Sequence, residues 1–236
     1  MTFGKDLKKF REERKLSRKD VAQALDISYS TLTDYENDNI DIPMSKAMKL
    51  FNFYRISLEA YMITSIQNET IKKIMKLEQK KYRDLKDQFL IEGYHLVEEA
   101  KKANCIETII TTLHETFEEP TIYVSSNVME KLAFTKTPQP IMAICHKPHH
   151  RLFNTNHQRY LLLDNIQDPG NLGTIIRTAL ALGYDQIIMS YNSVDLYNDK
   201  VIRATQGALF QMSICQMDLI EAITSLQQND VRVYGT

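Results

Sequence analysis

The sequence predicts an α/β fold preceded by an all-helical module, and three observations carry that prediction. Residues 1–61 hold helix-length segments without strand patterning, whereas from residue 89 onward short apolar runs alternate with helical periods. One such run, Tyr160-Leu161-Leu162-Leu163-Asp164, leads through Asp168-Pro169-Gly170 into a helical pattern, the strand, loop, helix order of a parallel sheet. With 236 residues and 43% hydrophobic content, the chain suits roughly one to two domains with substantial cores.

Composition narrows the function classes. The formal net charge of −1 speaks against a wholesale polyanion binder, so nucleic-acid contact must come from local patches. Cys105, Cys145 and Cys215 are odd in number and lack a C-x-x-C pair, which reads as reduced thiols in a cytoplasmic protein. No apolar run approaches the roughly 18 residues of a membrane span, and no secretory h-region follows the Lys-rich start.

In order, Leu7 and Phe10 give the first helix an apolar side, Ser17 and Asp20 form a capping pair for the second, and Ser28 caps a third with Leu32 and Tyr35 inward. Pro43 in a first turn and Ser57 ahead of Leu58 open two more, a five-helix bundle over residues 1–61. Residues 69–87 carry Lys72, Lys73, Lys76, Lys80, Lys81, Arg83 and Lys86 beside a narrow stripe of Ile71, Ile74 and Leu77. Such a run is a solvated helix face or, ahead of an RNA-binding domain, a surface that tracks phosphates. Strands at 89–91, 108–111, 121–124 and 141–145 with helices at 94–103 and 126–132 make a small α/β sandwich, so that residues 62–145 form one domain.

Residues 146–158 read as a polar linker; its His146, His149, His150 and His157 lack the partner spacing of a metal site. Over 159–236, strands at 160–164, 186–190, 213–215 and 231–234 alternate with helices near 172–182, 199–207 and 218–228, a doubly wound arrangement without G-x-G-x-x-G.

Asn171, Gly173 and Arg177 follow the first of these strands at N-x-G-x-x-x-R spacing. Gly173 removes a side chain where backbone must approach something closely, and Arg177 stands one turn beyond it on the same face. The three are expected to gather at a helix N-terminus, a place to hold phosphate. The stretch Asp168-Pro169-Gly170-Asn171-Leu172-Gly173-Thr174-Ile175-Ile176-Arg177-Thr178-Ala179 resembles the first motif of the SpoU/TrmH family of RNA ribose 2′-O-methyltransferases. Arg203-Ala204-Thr205-Gln206-Gly207-Ala208 looks like that family's R-A-S-x-G-A segment, and residues 89–100, with Glu92 and Gly93, resemble the opening of its RNA-binding domain.

The resemblance covers about residues 62–236 and implies a SPOUT-type α/β domain, S-adenosylmethionine as cofactor, ribosomal or transfer RNA as substrate, and a homodimer as the complete enzyme. On that reading Arg177 holds phosphate and ribose hydroxyl, Asn171 positions Arg177 or the ribose, and Arg203 contacts the RNA backbone, while the basic run adds Lys80, Lys81 and Arg83, and the domain opening Glu92 and Gly93, on the RNA side. By their own pattern Glu92 and Gly93 read as a strand end and a turn. The family's Gly-Glu-Gly loop and Ser-Leu-Asn stretch, which supply most of the cofactor pocket, do not occur before Thr236. The expectation is therefore an incomplete C-terminal knot, weak cofactor binding and no activity. Met62 resembles the natural start of such an enzyme, which suggests a fusion.

Residues 17–38 resemble the lambda-repressor-like (XRE) helix-turn-helix, in which the third helix enters the major groove. The resemblance places Tyr29, Ser30, Thr31, Thr33 and Asp34 toward bases, and Arg18, Lys19 and Gln23 near phosphate. Asp26 stands where glycine is common, and Asp34, Glu36 and Asp38 make the reading helix acidic. Two functions compete: an RNA methyltransferase with an added DNA-binding module, and a DNA- or RNA-binding regulator in which the methyltransferase domain is only a scaffold.

Overall fold

The computed structural model describes residues 3–235 except 41, 56–61, 114, 116, 149–152 and 157. The chain divides into two compact units, Met1–Met62 with His114–Glu118, and Ile63–Leu113 with Glu119–Thr236.

The first unit holds α1 (Phe3–Glu13), α2 (Arg18–Leu25), α3 (Tyr29–Glu36) and α4 (Met44–Tyr54). Both bonds of the Ser17–Asp20 capping box form, and the Ser28 hydroxyl accepts from the Thr31 amide at 3.0 Å. Leu7, Val21, Ala22, Leu25, Leu32, Leu50 and Tyr54 make the core. Pro43 is the N-cap of α4 rather than a first-turn residue, and the helix expected after Ser57 lies outside the described residues. Asp26 ends α2 at φ +52°, which explains the usual glycine: the left-handed turn costs any residue with a Cβ.

The acidity of α3 is largely spent inside the unit. Glu36 is buried, with Arg11 Nε at 2.6 Å and Arg18 Nε at 2.8 Å from its carboxylate. Burial pushes the Glu36 carboxyl up, but hydrogen bonds from Arg11 and Arg18 outweigh it and hold the group below its usual range. Asp38 accepts from the Gly4 amide at 2.7 Å.

The second unit contains two sheets. β1 (Gln88–Glu92), β2 (Ile106–Thr111), β3 (Thr121–Tyr123) and β4 (Ile141–His146) run in the order β1-β4-β2-β3, with only β2 and β3 parallel. β4 takes in His146, so the linker starts later than its polarity suggests; His149, His150 and His157 lie outside the described residues. Helices α7 (Tyr94–Lys102) and α8 (Ser126–Leu132) complete this half.

The basic run is not one helix. It forms α5 (Glu69–Met75), a 3-10 turn (Lys76–Glu78) and α6 (Lys80–Lys86), with Gln79 extended between them. Ile71, Ile74 and Leu77 bury against Leu90, Val128 and Met142.

β5 (Tyr160–Leu163), β6 (Gln186–Met189) and β7 (Ser213–Gln216) form a parallel sheet in that order. It carries α9 (Pro169–Ala181), α10 (Asp199–Thr205), the unforeseen short α11 (Ala208–Gln211) and α12 (Leu219–Gln228). Residues 231–234 are not a strand. Val231 and Val233 pack on Ile188, Ala222 and Leu226, so the alternation reports burial without the ladder bonds that define a strand.

The two halves of this unit meet where α7 reaches the α10–α11 turn. His95 Nε2 lies 3.1 Å from the Gln206 carbonyl, and a Cβ at Gly207, φ +89°, would stand 2.7 Å from Glu99 Cγ. Phe89 meets Tyr197 at 4.8 Å between ring centroids.

Candidate active site

At the carboxyl end of β5 the loop 165–168 is laced to the loop after β6. The Asn165 amide donates to Ser190 Oγ at 2.8 Å, the Ile166 amide to Ser193 Oγ at 3.2 Å, and the Val194 amide to the Ile166 carbonyl at 2.7 Å. Gln167 Nε2 donates to Asn165 Oδ1 at 2.7 Å and the Asn192 carbonyl at 2.6 Å. These bonds hold an open hollow of about 310 Å³, walled by the loop with Asn171, Thr174 and Ile175. It lies at the carboxyl end of a parallel strand, where open α/β sheets bind their ligands.

Asp168 is the N-cap of α9 and accepts from the Asn171 amide at 2.7 Å, with Pro169 as the first helical residue. A carboxylate thus occupies the helix start, where the motif alone suggests phosphate. The helix does not gather the three motif residues. Gly173 is buried against α10, where an added Cβ would stand 2.3 Å from Ala204 Cβ and 3.0 Å from the Val201 carbonyl. Asn171 is exposed in the hollow, and its side-chain amide has no partner among the described residues. Arg177 is exposed six residues on, roughly 9 Å along the axis and about 120° around it at helical spacing, also without a partner among the described residues. Its side chain leans toward the helix start, as helical side chains do.

The remaining sequence-derived residues divide by burial. Arg203 is ion-paired to Asp199 at 3.0 Å, and its Nη1 is buried without a partner among the described residues. Thr205, in place of the family's serine, is buried and donates back to the Ile202 carbonyl at 2.7 Å. Lys80 is exposed beside Asp84 at 2.6 Å and Lys81 is exposed. Arg83 departs from the phosphate-tracking expectation: it is buried, donating to the Leu77 and Glu78 carbonyls and to Asp195. Glu92 is buried too, accepting from the Phe134 amide at 2.8 Å, the Thr135 hydroxyl and the Gln139 amide, while Gly93, φ +101°, turns the chain against Gln139. Glu92 and Gly93 shape a loop and offer little to a ligand.

In the helical unit, Lys19, Gln23, Tyr29 and Ser30 are exposed on α2 and α3, with Thr31, Thr33 and Asp34 half-buried beside them. Thr33 bonds back to the Tyr29 carbonyl at 2.9 Å, and Asp34 accepts from Asn39 at 3.2 Å. Arg18 is turned into the unit by Glu36 rather than outward to phosphate.

Sequence reasoning missed Asn165, Thr174 and Asp195. Asn165 had a signal: an asparagine just past a strand end suits the left-handed turn it adopts at φ +52°. Asp195 had none, since its partner lies 112 positions away. Among the described residues no cluster of three metal-ligating side chains occurs and no helix is long and apolar enough to cross a membrane.

The SpoU rRNA Methylase family matches residues 158–236, an MRM3-like substrate binding domain residues 68–143, and a Helix-turn-helix family residues 7–61. The chain is 38% identical over 181 residues to the 23S rRNA (guanosine(2553)-2′-O)-methyltransferase RlmP of Bacillus subtilis, covering 74% of this chain and 72% of that one. It is 32% identical over 170 residues to the human mitochondrial rRNA methyltransferase 3, covering 65% of this chain but only 40% of that longer protein. The crystal structure of an AdoMet-bound rRNA methyltransferase from Sinorhizobium meliloti superposes with a TM-score of 0.63 at 30% identity, over 71% of this chain and 68% of that one. With 38% identity across 72% of the Bacillus subtilis enzyme and the family match over residues 158–236, this chain belongs to the SpoU family of rRNA methylases.

Proposed function

We propose that the chain is an RNA ribose 2′-O-methyltransferase that uses S-adenosylmethionine on ribosomal RNA, and that its helical unit binds DNA. The observation that carries the first part is the hollow at the start of α9, where the Asn171 side chain has no partner among the described residues and stands between the apolar walls of Ile166 and Ile175. Those walls and free hydrogen-bonding groups fit the neutral sugar of a nucleoside, and Asn171 and Thr174 would meet its hydroxyls. When bound, S-adenosylmethionine supplies an electrophilic methyl group.

The chain's own residues supply position and charge. Asn171 orients the ribose by hydrogen bonding. Arg177 is a guanidinium, which keeps its proton and so is no general base. It holds the neighbouring phosphate through its planar fork, and its charge favours the negative oxygen that develops as the hydroxyl reacts. The walls of the hollow exclude part of the solvent that would otherwise compete.

Tritium transfer from labelled S-adenosylmethionine to 23S ribosomal RNA, in a version extended through the Gly-Glu-Gly and Ser-Leu-Asn segments, tests this. Arg177→Ala is expected to abolish transfer while leaving RNA affinity within about tenfold, or ~1.4 kcal/mol; full activity in the variant overturns the role of Arg177.

The DNA reading is supported by exposed Lys19, Gln23, Tyr29 and Ser30 on adjoining helices, and by the withdrawal of Glu36 and Asp38 from the acidic face of α3. Retardation of random duplex by the chain at low salt is the measurement; none at low salt would leave the unit to protein contact.

A further inference from the structure

We propose that Arg83 and Asp195 are a positioning pair for this reaction, fastening the basic segment that meets RNA to the two loops that shape the Asn171 hollow. The inference rests on the methyltransferase reading of that hollow.

Arg83 differs from every lysine of its own basic run. Lys72, Lys73, Lys76, Lys80, Lys81 and Lys86 are exposed, whereas the Arg83 side chain is only 7% exposed. Its Nη1 donates to the Leu77 carbonyl at 2.9 Å and the Glu78 carbonyl at 2.6 Å, which fixes the 3-10 turn between α5 and α6, and its Nη2 donates to Asp195. One planar fork thus ties a turn of the RNA-binding half to a loop of the methyltransferase half. Lysine, a single point charge on a flexible stem, cannot hold that geometry.

From Asp195 the connection runs two ways. Upstream, Val194, Ser193 and Asn192 bond to Ile166 and Gln167, the floor of the hollow. Downstream, Asp195 Oδ1 accepts from the Tyr197 amide at 3.2 Å, and the Asp195 carbonyl from the Asn198 amide at 3.0 Å. Asn198 then caps α10, and α10 lies against Gly173 of α9. A displacement of α6 by bound RNA therefore reaches both the loop and the helix that carry Asn171. The pair is desolvated enough that parting it would strand a buried charge, so it holds a defined geometry rather than fluctuating with solvent.

The test uses the full chain as wild type, Arg83→Lys, Asp195→Asn and the double variant, with 23S ribosomal RNA as the probe. Amide hydrogen exchange is followed at Asn165, Ile166 and Val194, with Leu90 and Ile91 of β1 as internal reference. Exchange at the loop amides should quicken about tenfold in each single variant while the reference amides stay unchanged. The double variant should be no worse than either single one, because both remove the same link. With RNA added, the wild-type loop amides gain protection; the variants bind RNA through the same exposed lysines but do not gain it. In methyl transfer the variants lower kcat and leave the KM for RNA unchanged.

Loop amides that exchange at the wild-type rate in both single variants overturn the proposal. So does a rise shared by loop and reference amides, which marks a general loss of stability. A version extended through the Gly-Glu-Gly and Ser-Leu-Asn segments that transfers no methyl group defeats the methyltransferase reading, while exchange in the free protein still decides whether the pair orders the hollow.

Discussion

In the helical unit Glu36 lies between Arg11 and Arg18, two residues that pack with it in one small core; in the α/β unit Arg83 meets Asp195 across 112 positions of sequence and two differently built halves. Both constellations take an arginine that belongs by sequence to a nucleic-acid-facing run and turn it inward. They differ in what is held. The Glu36 cluster closes a unit on itself, so its loss is a matter of folding. The Arg83 pair joins parts that each have their own hydrophobic cluster, so its loss is a matter of alignment. In both places the neighbouring lysines of the run stay exposed, as suits a flexible, well-hydrated point charge.

The sharpest way to break the comparison is Glu36→Gln. Two guanidiniums are then left with a neutral partner in a buried site, and the helical unit should lose about 3 kcal/mol, read as faster exchange of the Val21 and Leu32 amides. The pH dependence follows from the lowered carboxyl. A depressed folded-state pKa contributes stability that is present above the ordinary value of 4.5 and is lost as pH falls through and below it. The wild-type advantage over Glu36→Gln should therefore shrink on acidification below that value; an advantage constant from pH 7 to pH 3 would show that the cluster is not ionic.

A smaller effect separates Arg18 from its neighbour. Lys19→Ala should weaken duplex binding equally across sequences and lower the slope of log K against log salt by about 1, because one phosphate contact is gone. Arg18→Ala should leave that slope alone and destabilise the unit instead. Gel retardation over a salt series distinguishes them, and equal slopes for both variants would restore Arg18 to the phosphate surface.

The smallest change expected is Asp26→Gly, which relieves the left-handed turn at the end of α2 and should stabilise the helical unit by about 0.5 kcal/mol, the gain being reduced by the freer unfolded chain. Thermal melting reads it; a fall in the midpoint would mean that the Asp26 side chain contributes more than its backbone costs.

Local chemistry was the legible part of this molecule. Ser17 with Asp20 and Ser28 ahead of Leu32 are capping signals that act within one turn, and the strands around Phe89, Ile110, Ile144 and Ile188 are written in runs of apolar residues. What stayed hidden depends on distance or on hydrogen bonds. The break at Gln79 leaves the helical period of Ile71, Ile74 and Leu77 intact and shows only in the backbone. Val231 and Val233 alternate like a strand but reach their apolar neighbours as an irregular segment. Gly173 announced a close approach without naming α10 as the neighbour. Asn171 and Arg177 were legible as candidates, but their separation around α9 follows only once the helix is seen to begin at Pro169.

That start has a consequence for the register of a bound backbone. With the Asp168 carboxylate at the first turn of α9, negative charge is repelled from the end where Asn171 sits, while Arg177 attracts it farther along the helix. On the proposed reading, ribose is favoured beside Asn171 and phosphate beside Arg177, which fixes the register of an alternating sugar-phosphate backbone along α9. One capping residue, which stabilises the helix start, would thereby also set where along α9 a phosphate can come to rest.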